Sequence, residues 1–433
     1  MMNSLWADTA LPSFPRLEQD TKTDVLIIGG GLAGLLCAYT LVQAGADCLL
    51  IEADTICAGI SRNTTAKLTV QHGLLYDRLL RQFGPDAARA YWKVNDAALR
   101  RYRQLCRVFP CDYEEKPSYV YSRSSPEKLE RELLALETIG VPVQYTDKLP
   151  LPFPVAGAIR LERQAQFHPL KFAAGIARGL PIREHTAARD FRGNTVVTDH
   201  GTIRAGQIIV ATHFPLLNKH GAYFLKLYQH RSYVLALDPG PALEGMYVDE
   251  AEDGLSFRNA QGRLLLGGGA HRTGSRGRGW APLEAFAKAN YPQSREVCRW
   301  AAQDCMSLDG VPYIGQYSSR TPGLFVATGF NKWGMTSSMA AAMLLSDLVQ
   351  GRKNPYAQVF SPSRTALRPQ LFSNIGKAAV HLLTPRSPRC PHMGCALKWN
   401  PQERSWDCPC HGSRFTEEGK LLDNPATGGL KEP

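Results

Sequence analysis

Apolar and polar positions along the 433-residue chain first form a compact unit near the start. Asp24 to Ile28 is a short apolar run, Leu32 to Ala44 a longer apolar stretch, and Cys48 to Glu52 a second short run. Short runs bounded by turn residues read as buried strands and the longer stretch as a helix. Residues 24–52 thus predict a strand–helix–strand unit, its helix ending near Gly45. Val25 to Ala46 carries no charge and is long enough to cross a bilayer. Gly29-Gly30-Gly31 interrupts it, so no transmembrane segment is expected.

Further on, Leu74–Phe83, Pro85–Leu105 and Pro126–Thr138 repeat apolar residues three and four apart, with Pro at helix starts, and predict helices. Lys148 to Val155 is a proline-rich crossing. Strands are predicted at Ala158–Leu161, Thr195–Thr198 and Gln207–Ala211. A β-rich stretch from Tyr228 to Ala270 follows, with strands near Arg231–Asp238, Gly245–Val248, Leu255–Arg258 and Arg263–Gly267. Pro282–Tyr291 and Ser294–Cys305 read as helices. Gly323–Thr328 resumes the main sheet and leads into a helix from about Met335 to Val349. Residues 351–389 hold Pro355, Pro362, Pro369, Pro385 and Pro388, lack strong periodicity, and read as a linker or surface strap.

Composition narrows the class. Apolar residues make up 44% and charged residues 21%, ordinary for a soluble globular chain of two or three domains. A rod, a disordered chain and a disulfide-stapled peptide are excluded. The net charge of +11 permits acidic partners. The basic residues are scattered, however, and the densest group (Arg100, Arg101, Arg103, Arg107) reads as a solvated helix face, so no nucleic-acid partner is expected. The start lacks a basic segment leading into an apolar run, and no secretory signal is read there. Cys37, Cys48, Cys57, Cys106, Cys111, Cys298 and Cys305 are dispersed, which fits a reducing, cytoplasmic location. Cys390, Cys395, Cys408 and Cys410 crowd the C-terminus and point to a metal or redox module.

Gly29-Gly30-Gly31-Leu32-Ala33-Gly34 fits G-x-G-x-x-G between a strand and a helix, and Glu52 closes the next strand. Gly29 suits the tight turn, Gly31 the close approach of a pyrophosphate, and Gly34 close helix–strand packing. The helix N-terminus offers N–H groups to phosphates. Glu52 suits a ribose hydroxyl and would repel a 2′-phosphate, which disfavours NADP. Near the other end, Gly329 and Gly334 let backbone approach a planar ring, and the following helix aims its N-terminus there. A buried apolar helix with a glycine entry has the same pattern.

These segments, with Gly59–Lys67, Thr202–Thr212, Asp309–Gly315 and Leu324–Thr336, resemble the D-amino-acid-oxidase-like FAD oxidoreductases, which include glycine and sarcosine oxidases. The resemblance spans residues 22–350. It implies an α/β Rossmann-type FAD domain with an inserted α+β substrate domain. Residues 22–355 would form the oxidoreductase, with FAD-binding parts near 22–80, 155–225 and 306–350 and the substrate domain near 226–305. FAD contacts are implied for Gly29, Gly31, Gly34, Glu52, Thr64, Thr65, Ala66, Gly329, Trp333, Gly334, Met335 and Thr336. On residues alone, the Ser61–Lys67 loop reads equally as a polar surface loop. The implied reaction is hydride transfer from a small amine or amino acid to the flavin.

After a linker at 356–388, residues 389–433 contain Cys390-Pro-His392…Cys395 and Cys408-Pro-Cys410-His411. This segment resembles a shortened Rieske [2Fe–2S] module of small β/loop type. Cys390 and Cys408 would hold one iron and His392 and His411 the other. In that family Cys395 and Cys410 would be a disulfide. Phe415 stands where high-potential members carry Tyr, so the expected potential lies below the top of the range of about −150 to +300 mV. Two Cys and two His also suit structural zinc. A segment this short is near the limit of independent folding and is expected to lean on the flavin body.

Fusing such a cluster to a flavin domain favours a dehydrogenase over an oxidase, with electrons leaving by the cluster to an unidentified acceptor. A redox relay without a small-molecule substrate is the alternative. For the substrate, Arg231 and Arg272 are candidates to grip a carboxylate, because a guanidinium fork fits it. His271 and His213 are candidates to face the flavin, and His72 is similar. Each also reads as an ordinary structural polar residue.

Overall fold

The computed structural model describes residues 3–217, 220–364, 367–385 and 387–430. Its first sheet grows around the strand Thr21–Ile28, whose residues Val25–Ile28 are buried on both faces. Continuous burial of this kind suits a parallel strand covered on both sides. Cys48–Ile51 and Gly201–Val210 pair with it in parallel, one on each side. Leu324–Thr328 extends the sheet in parallel, and Tyr313–Gln316 adds an antiparallel edge. The helices Leu32–Gln43 and Gly334–Val349 pack against each other in the core beside this sheet. Gly29 and Gly31 lie at the carboxyl end of the central strand, where doubly wound sheets bind ligands.

The second sheet has nine strands. Leu227–Asp238 sits between Arg263–Arg272 and Arg295–Ser307, antiparallel to both. Ser256–Ala260 and Met246–Asp249 follow, and Met246–Asp249 pairs in parallel with Glu114–Ser122. Gly157–Gln166 then joins, so the sheet draws strands from well before residue 226.

The helix expected at Ser294–Cys305 is a strand. Val297, Trp300 and Ala301 have helical spacing, but Ala301, Gln303, Cys305 and Ser307 are buried alternately against Leu227–Asp238. That long ladder, with every second side chain in the core, outweighs local periodicity. The long helix Tyr76–Val108 breaks where the two predicted helices meet, with Gly84 at φ 81° just before Pro85. The stretch read as a linker contains the helix Pro369–Leu383. No described helix is long and apolar enough to cross a membrane.

The C-terminal module is a four-stranded antiparallel sheet of short strands: Lys398–Asn400, Ser405–Asp407, Arg414–Thr416 and Leu421–Asp423. Its small core is Cys390, Cys395, Leu397, Cys408, Cys410, Phe415 and Ala426. A core that small needs support, and the second sheet supplies it.

Candidate active site and cluster loops

Two of the fingerprint glycines are enforced by contact. A Cβ on Gly34 would lie 1.9 Å from the Gly29 carbonyl oxygen, and one on Gly29 (φ 112°) would lie 2.7 Å from that of Ala211. Gly31 differs: a Cβ there would meet only Ser61 Oγ, at 3.4 Å. Its bareness leaves space on the cavity side, as a cradle for a phosphate requires. Glu52 accepts hydrogen bonds from the Gly30 and Asp54 N–H groups at 2.6 and 2.9 Å. Burial raises its pKa, and those two bonds oppose the rise.

A cavity of about 1190 Å³ opens from this turn. Gly29, Gly31, Glu52, Thr64, Thr65, Trp333, Gly334 and Met335 line it. Gly34, Ala66, Gly329 and Thr336 stand behind the wall. Ala66, at φ 54°, presents its carbonyl to Arg258 Nη1 at 2.6 Å, and Thr336 Oγ1 donates to the Thr69 carbonyl at 2.8 Å. Typical ligand pockets hold about 300–1,000 Å³. This one therefore has room for a dinucleotide and a small substrate together, and its turn, cradle and carboxylate fit FAD.

Where the cavity meets the second sheet, the structure adds groups that carried no motif in the sequence. Asp304 sits on the edge strand Arg295–Ser307 opposite His230, and the Ser232 hydroxyl donates to it at 3.4 Å. Burial raises the Asp304 pKa, against the pull of Lys332, His213 and His230. Lys332, at φ 70°, donates from Nζ to the Glu252 carbonyl at 3.2 Å. Burial lowers its pKa, against Asp304 and Glu252. Lys67 lines the same cavity, and burial brings it down to about 7.

The sequence candidates separate. His213 lines the cavity and donates from Nε2 to Gln229 Oε1 at 3.2 Å. His72 also reaches the wall, but both ring nitrogens are engaged, by the Tyr91 hydroxyl at 2.6 Å and the Thr69 carbonyl at 2.8 Å. It stacks under Trp333 with centroids 5.0 Å apart. His271 lies outside the cavity, stacked on Tyr233.

Arg231 and Arg272 are both engaged within the protein, as structural polar residues are. Arg231 forms a two-pronged pair with Glu403, its Nε 2.9 Å from Oε1. Arg272 donates to the Pro409 and Cys410 carbonyls at 3.2 and 3.0 Å and to Asn374 Oδ1 at 2.7 Å. Both forks are filled by the C-terminal region, so neither is free for a carboxylate.

The cluster loops are two copies of one turn. The Gly394 N–H closes on the Cys390 carbonyl at 2.8 Å, and the Gly412 N–H on the Cys408 carbonyl at 2.9 Å. Both glycines have positive φ, 76° and 89°. The turns bring the imidazoles of His392 and His411 within 4.9 Å, nearly perpendicular. The sulfur atoms of Cys395, Cys408 and Cys410 lie within 4.8 Å of one another. His411 is buried, and its Nδ1 has no hydrogen-bond partner among the described residues. Burial lowers both imidazole pKa values, to about 3 and about 4, leaving neutral rings as metal ligation requires. Neutral imidazoles beside thiols fit a [2Fe–2S] centre; of the two expected thiolate ligands, Cys408 belongs to this sulfur group and Cys390 lies outside it.

The Cys395–Cys410 disulfide expected from the resemblance is not formed: every cysteine is free. Their sulfurs gather with Cys408 as a donor cluster, rather than closing to the 2.05 Å or so of an S–S bond.

The module is tied to the cavity wall. Gln229 Nε2 donates to the His411 and Asn424 carbonyls, both at 2.9 Å. Gln303 Nε2 donates to the Gly412 carbonyl at 2.9 Å. The Phe214 ring meets His392 and His411 edge-on at 6.0 and 6.2 Å. Leu421–Asn424, Ala426 and Thr427 themselves line the cavity.

Comparison with known proteins agrees with both halves. Residues 24–348 match the family model for FAD dependent oxidoreductases, and residues 383–433 that for the Rieske [2Fe-2S] domain. The chain is 34% identical to a putative Rieske 2Fe-2S iron-sulfur protein, YhfW, of Bacillus subtilis, covering 98% of this chain and 96% of that one. It is 31% identical to a D-amino acid dehydrogenase of Rhizobium rhizogenes, over 36% of this chain and 40% of the other. Among solved structures, glycine oxidase from Geobacillus kaustophilus superposes with a TM-score of 0.67 at 21% identity, covering 79% of this chain and 99% of that one.

Proposed function

The chain belongs to the FAD-dependent oxidoreductase family and ends in a Rieske [2Fe–2S] domain, and from that premise we propose that it oxidises a small amine or amino acid. When bound, FAD supplies hydride acceptance and the [2Fe–2S] centre supplies one-electron transfer. The observation that carries the reading is the shared wall: His213 lines the cavity, bonds Gln229, and Gln229 bonds the backbone of His411. Two residues, His213 and Gln229, thus join the cavity to a proposed cluster ligand, which supports electrons leaving through Cys390, His392, Cys408 and His411, and dehydrogenase over oxidase behaviour.

The remaining roles fall to the cavity lining. Gly29, Gly31 and Glu52 would hold the dinucleotide, and Trp333 to Met335 its ring end. Asp304 would take up the amine's proton, since burial has raised its pKa toward that task. Lys332 would pair with a substrate carboxylate. The open space beside these groups favours an enzyme over a pure relay, whose flavin would need no such room.

The test is anaerobic mixing of the purified holoprotein with candidate amines and amino acids, followed by visible and EPR spectroscopy. Bleaching of the flavin followed by the signal of a reduced Rieske centre is expected. Flavin reduced by substrate with the cluster left oxidised, or peroxide formed in air at the same rate when Cys390 and Cys408 are replaced, would sink the relay.

A further inference from the structure

The helix Pro369–Leu383 is laid on the protein the wrong way round for a water-facing helix. Its polar residues Gln370, Asn374, Lys377 and His381 recur at helical spacing on the side that packs inward. Asn374 is only 4% exposed. Its Oδ1 accepts from Arg272 and from Gln370 Nε2 (3.1 Å), and its Nδ2 donates to the Leu225 carbonyl at 3.1 Å. The outward side carries Phe372, Ile375, Val380 and Leu383, exposed by 65%, 43%, 61% and 82%. Between them lie Gly376 and Ala379, also exposed, and the polar exception is Ser373. Surface helices ordinarily show the opposite arrangement, and a contiguous apolar patch of this kind marks a binding surface.

The surrounding charge says what binds. From Asn354 to Gln402 the sequence contains no Asp or Glu, but it contains Arg364, Arg368, Lys377, Arg386, Arg389 and Lys398. Arg364 is engaged with Asp309 and Lys377 lies on the inward side, whereas Lys398 is exposed, and Arg389, also exposed, donates to the His381, Leu382 and Thr384 carbonyls at the end of the helix and so holds its charge beside the apolar face. An apolar crown within an acid-free, basic stretch is complementary to anionic lipid headgroups over acyl chains. The crown is a single convex helix with almost no polar group to fix a register. A bilayer interface accepts that shape without a matching groove. A second copy of the chain would bring the same positive charge against it.

We infer that Pro369–Leu383 is an interfacial anchor that seats the protein on an anionic membrane surface. The helix also packs on the cluster module: Ala378 joins its core, and the His381 carbonyl accepts from the Ala396 N–H at 2.9 Å. The anchored surface therefore lies beside the cluster loops, where an acceptor carried by the membrane would meet them. The anchor stands on the helix and its charge, independent of which substrate the cavity takes.

The experiment is flotation of the full-length holoprotein with vesicles of phosphatidylcholine alone or mixed equally with phosphatidylglycerol, at low and high salt. Strong flotation with the anionic vesicles, weakened by salt, is expected. The double variant Phe372→Ser, Leu383→Ser should lose at least tenfold in vesicle partitioning, with flavin absorbance and unfolding temperature unchanged because both side chains face solvent. Failure to float with either vesicle overturns the inference, and so does flotation that ignores the double variant. A dimer that the double variant dissociates, with no flotation, would assign the face to a second copy instead.

Discussion

Arg272 reaches from the end of its strand to the cluster loop and donates through Nη2 to the Cys410 carbonyl at 3.0 Å. The same guanidinium holds the Pro409 carbonyl and Asn374, and it lies over the Tyr228 ring at 5.0 Å. One side chain thus fixes the cluster loop, the anchor helix and the cavity wall together.

Replacing Arg272 by Ala should therefore undock the module rather than alter substrate grip. Three charge-assisted bonds to buried acceptors are lost, and each is worth about 1.5–3 kcal/mol. Because the acceptors are left bare, a loss of roughly 3 kcal/mol or more is expected. Limited proteolysis between residues 384 and 390 should accelerate, and the cluster's EPR signal should broaden or disappear. A variant that keeps its cluster and its protease resistance would show that the contact is incidental. Arg272→Lys should rescue little, because an ammonium cannot span the fork.

Glu403 gives the interface a pH signature. Burial alone would raise its pKa, but Arg231 and Arg414 overpower that effect and hold it at about 2. A carboxyl depressed on folding adds stability that is complete above its ordinary 4.5 and is lost as pH falls toward about 2. Unfolding free energy followed by denaturant titration between pH 6 and 3, a window of roughly three units, should fall with a component that Glu403→Gln abolishes. The variant also leaves two buried guanidinium groups short of a partner, costing about 3–5 kcal/mol. Equal slopes in both proteins would remove Glu403 from the account.

Two glycines separate folding from cofactor binding. Gly34→Ala would place a methyl group 1.9 Å from the Gly29 carbonyl oxygen, so the first sheet itself should be destabilised, with or without flavin. Gly31→Ala meets only Ser61 Oγ at 3.4 Å, so the apoprotein should unfold within about 1 kcal/mol of the parent. Its flavin content should nevertheless collapse, because the methyl fills the phosphate cradle. Visible absorbance per chain and thermal unfolding of the apoprotein read the two effects apart. Full flavin loading of Gly31→Ala would place the pyrophosphate elsewhere.

What could be read in advance was what local chemistry dictates. A strand–glycine turn–helix with a terminal acid announces a dinucleotide site because few other uses need glycine at three such positions. The paired Cys-x-His and Cys-x-x-His turns announce a cluster for a similar reason. The sequence left Arg231 and Arg272 open between substrate grip and structural role because their partners, Glu403 and Cys410, lie far away along the chain. Arg295–Ser307 carries helical spacing that only its long pairing with Leu227–Asp238 overrides. Pro369–Leu383 does carry a helical period, but a reading that expects apolar residues to face inward finds it among prolines and passes over it. Asp304 and Lys332 sit on a strand and in a turn with no motif around them, and folding alone sets them by the cavity.

Asp304 supplies the sharpest test of the chemistry. It is half-buried, it faces the cavity, and its pKa is raised chiefly by loss of solvation. If it takes up the amine proton, its carboxylate form is the active one. Activity should then fall on the acid side, around a pKa above the ordinary 3.8 of an aspartate. Asp304→Asn keeps the shape and removes the base, so kcat/KM should drop by about 10²- to 10⁴-fold and the acid limb should vanish from what remains. Flavin content and the cluster signal should be unchanged, because Asp304 bonds Ser232 and neither set of proposed cofactor contacts. An Asp304→Asn variant that keeps the acid limb would assign the proton to another group, with His213 next in line because it lines the same cavity and its pKa is lowered by burial.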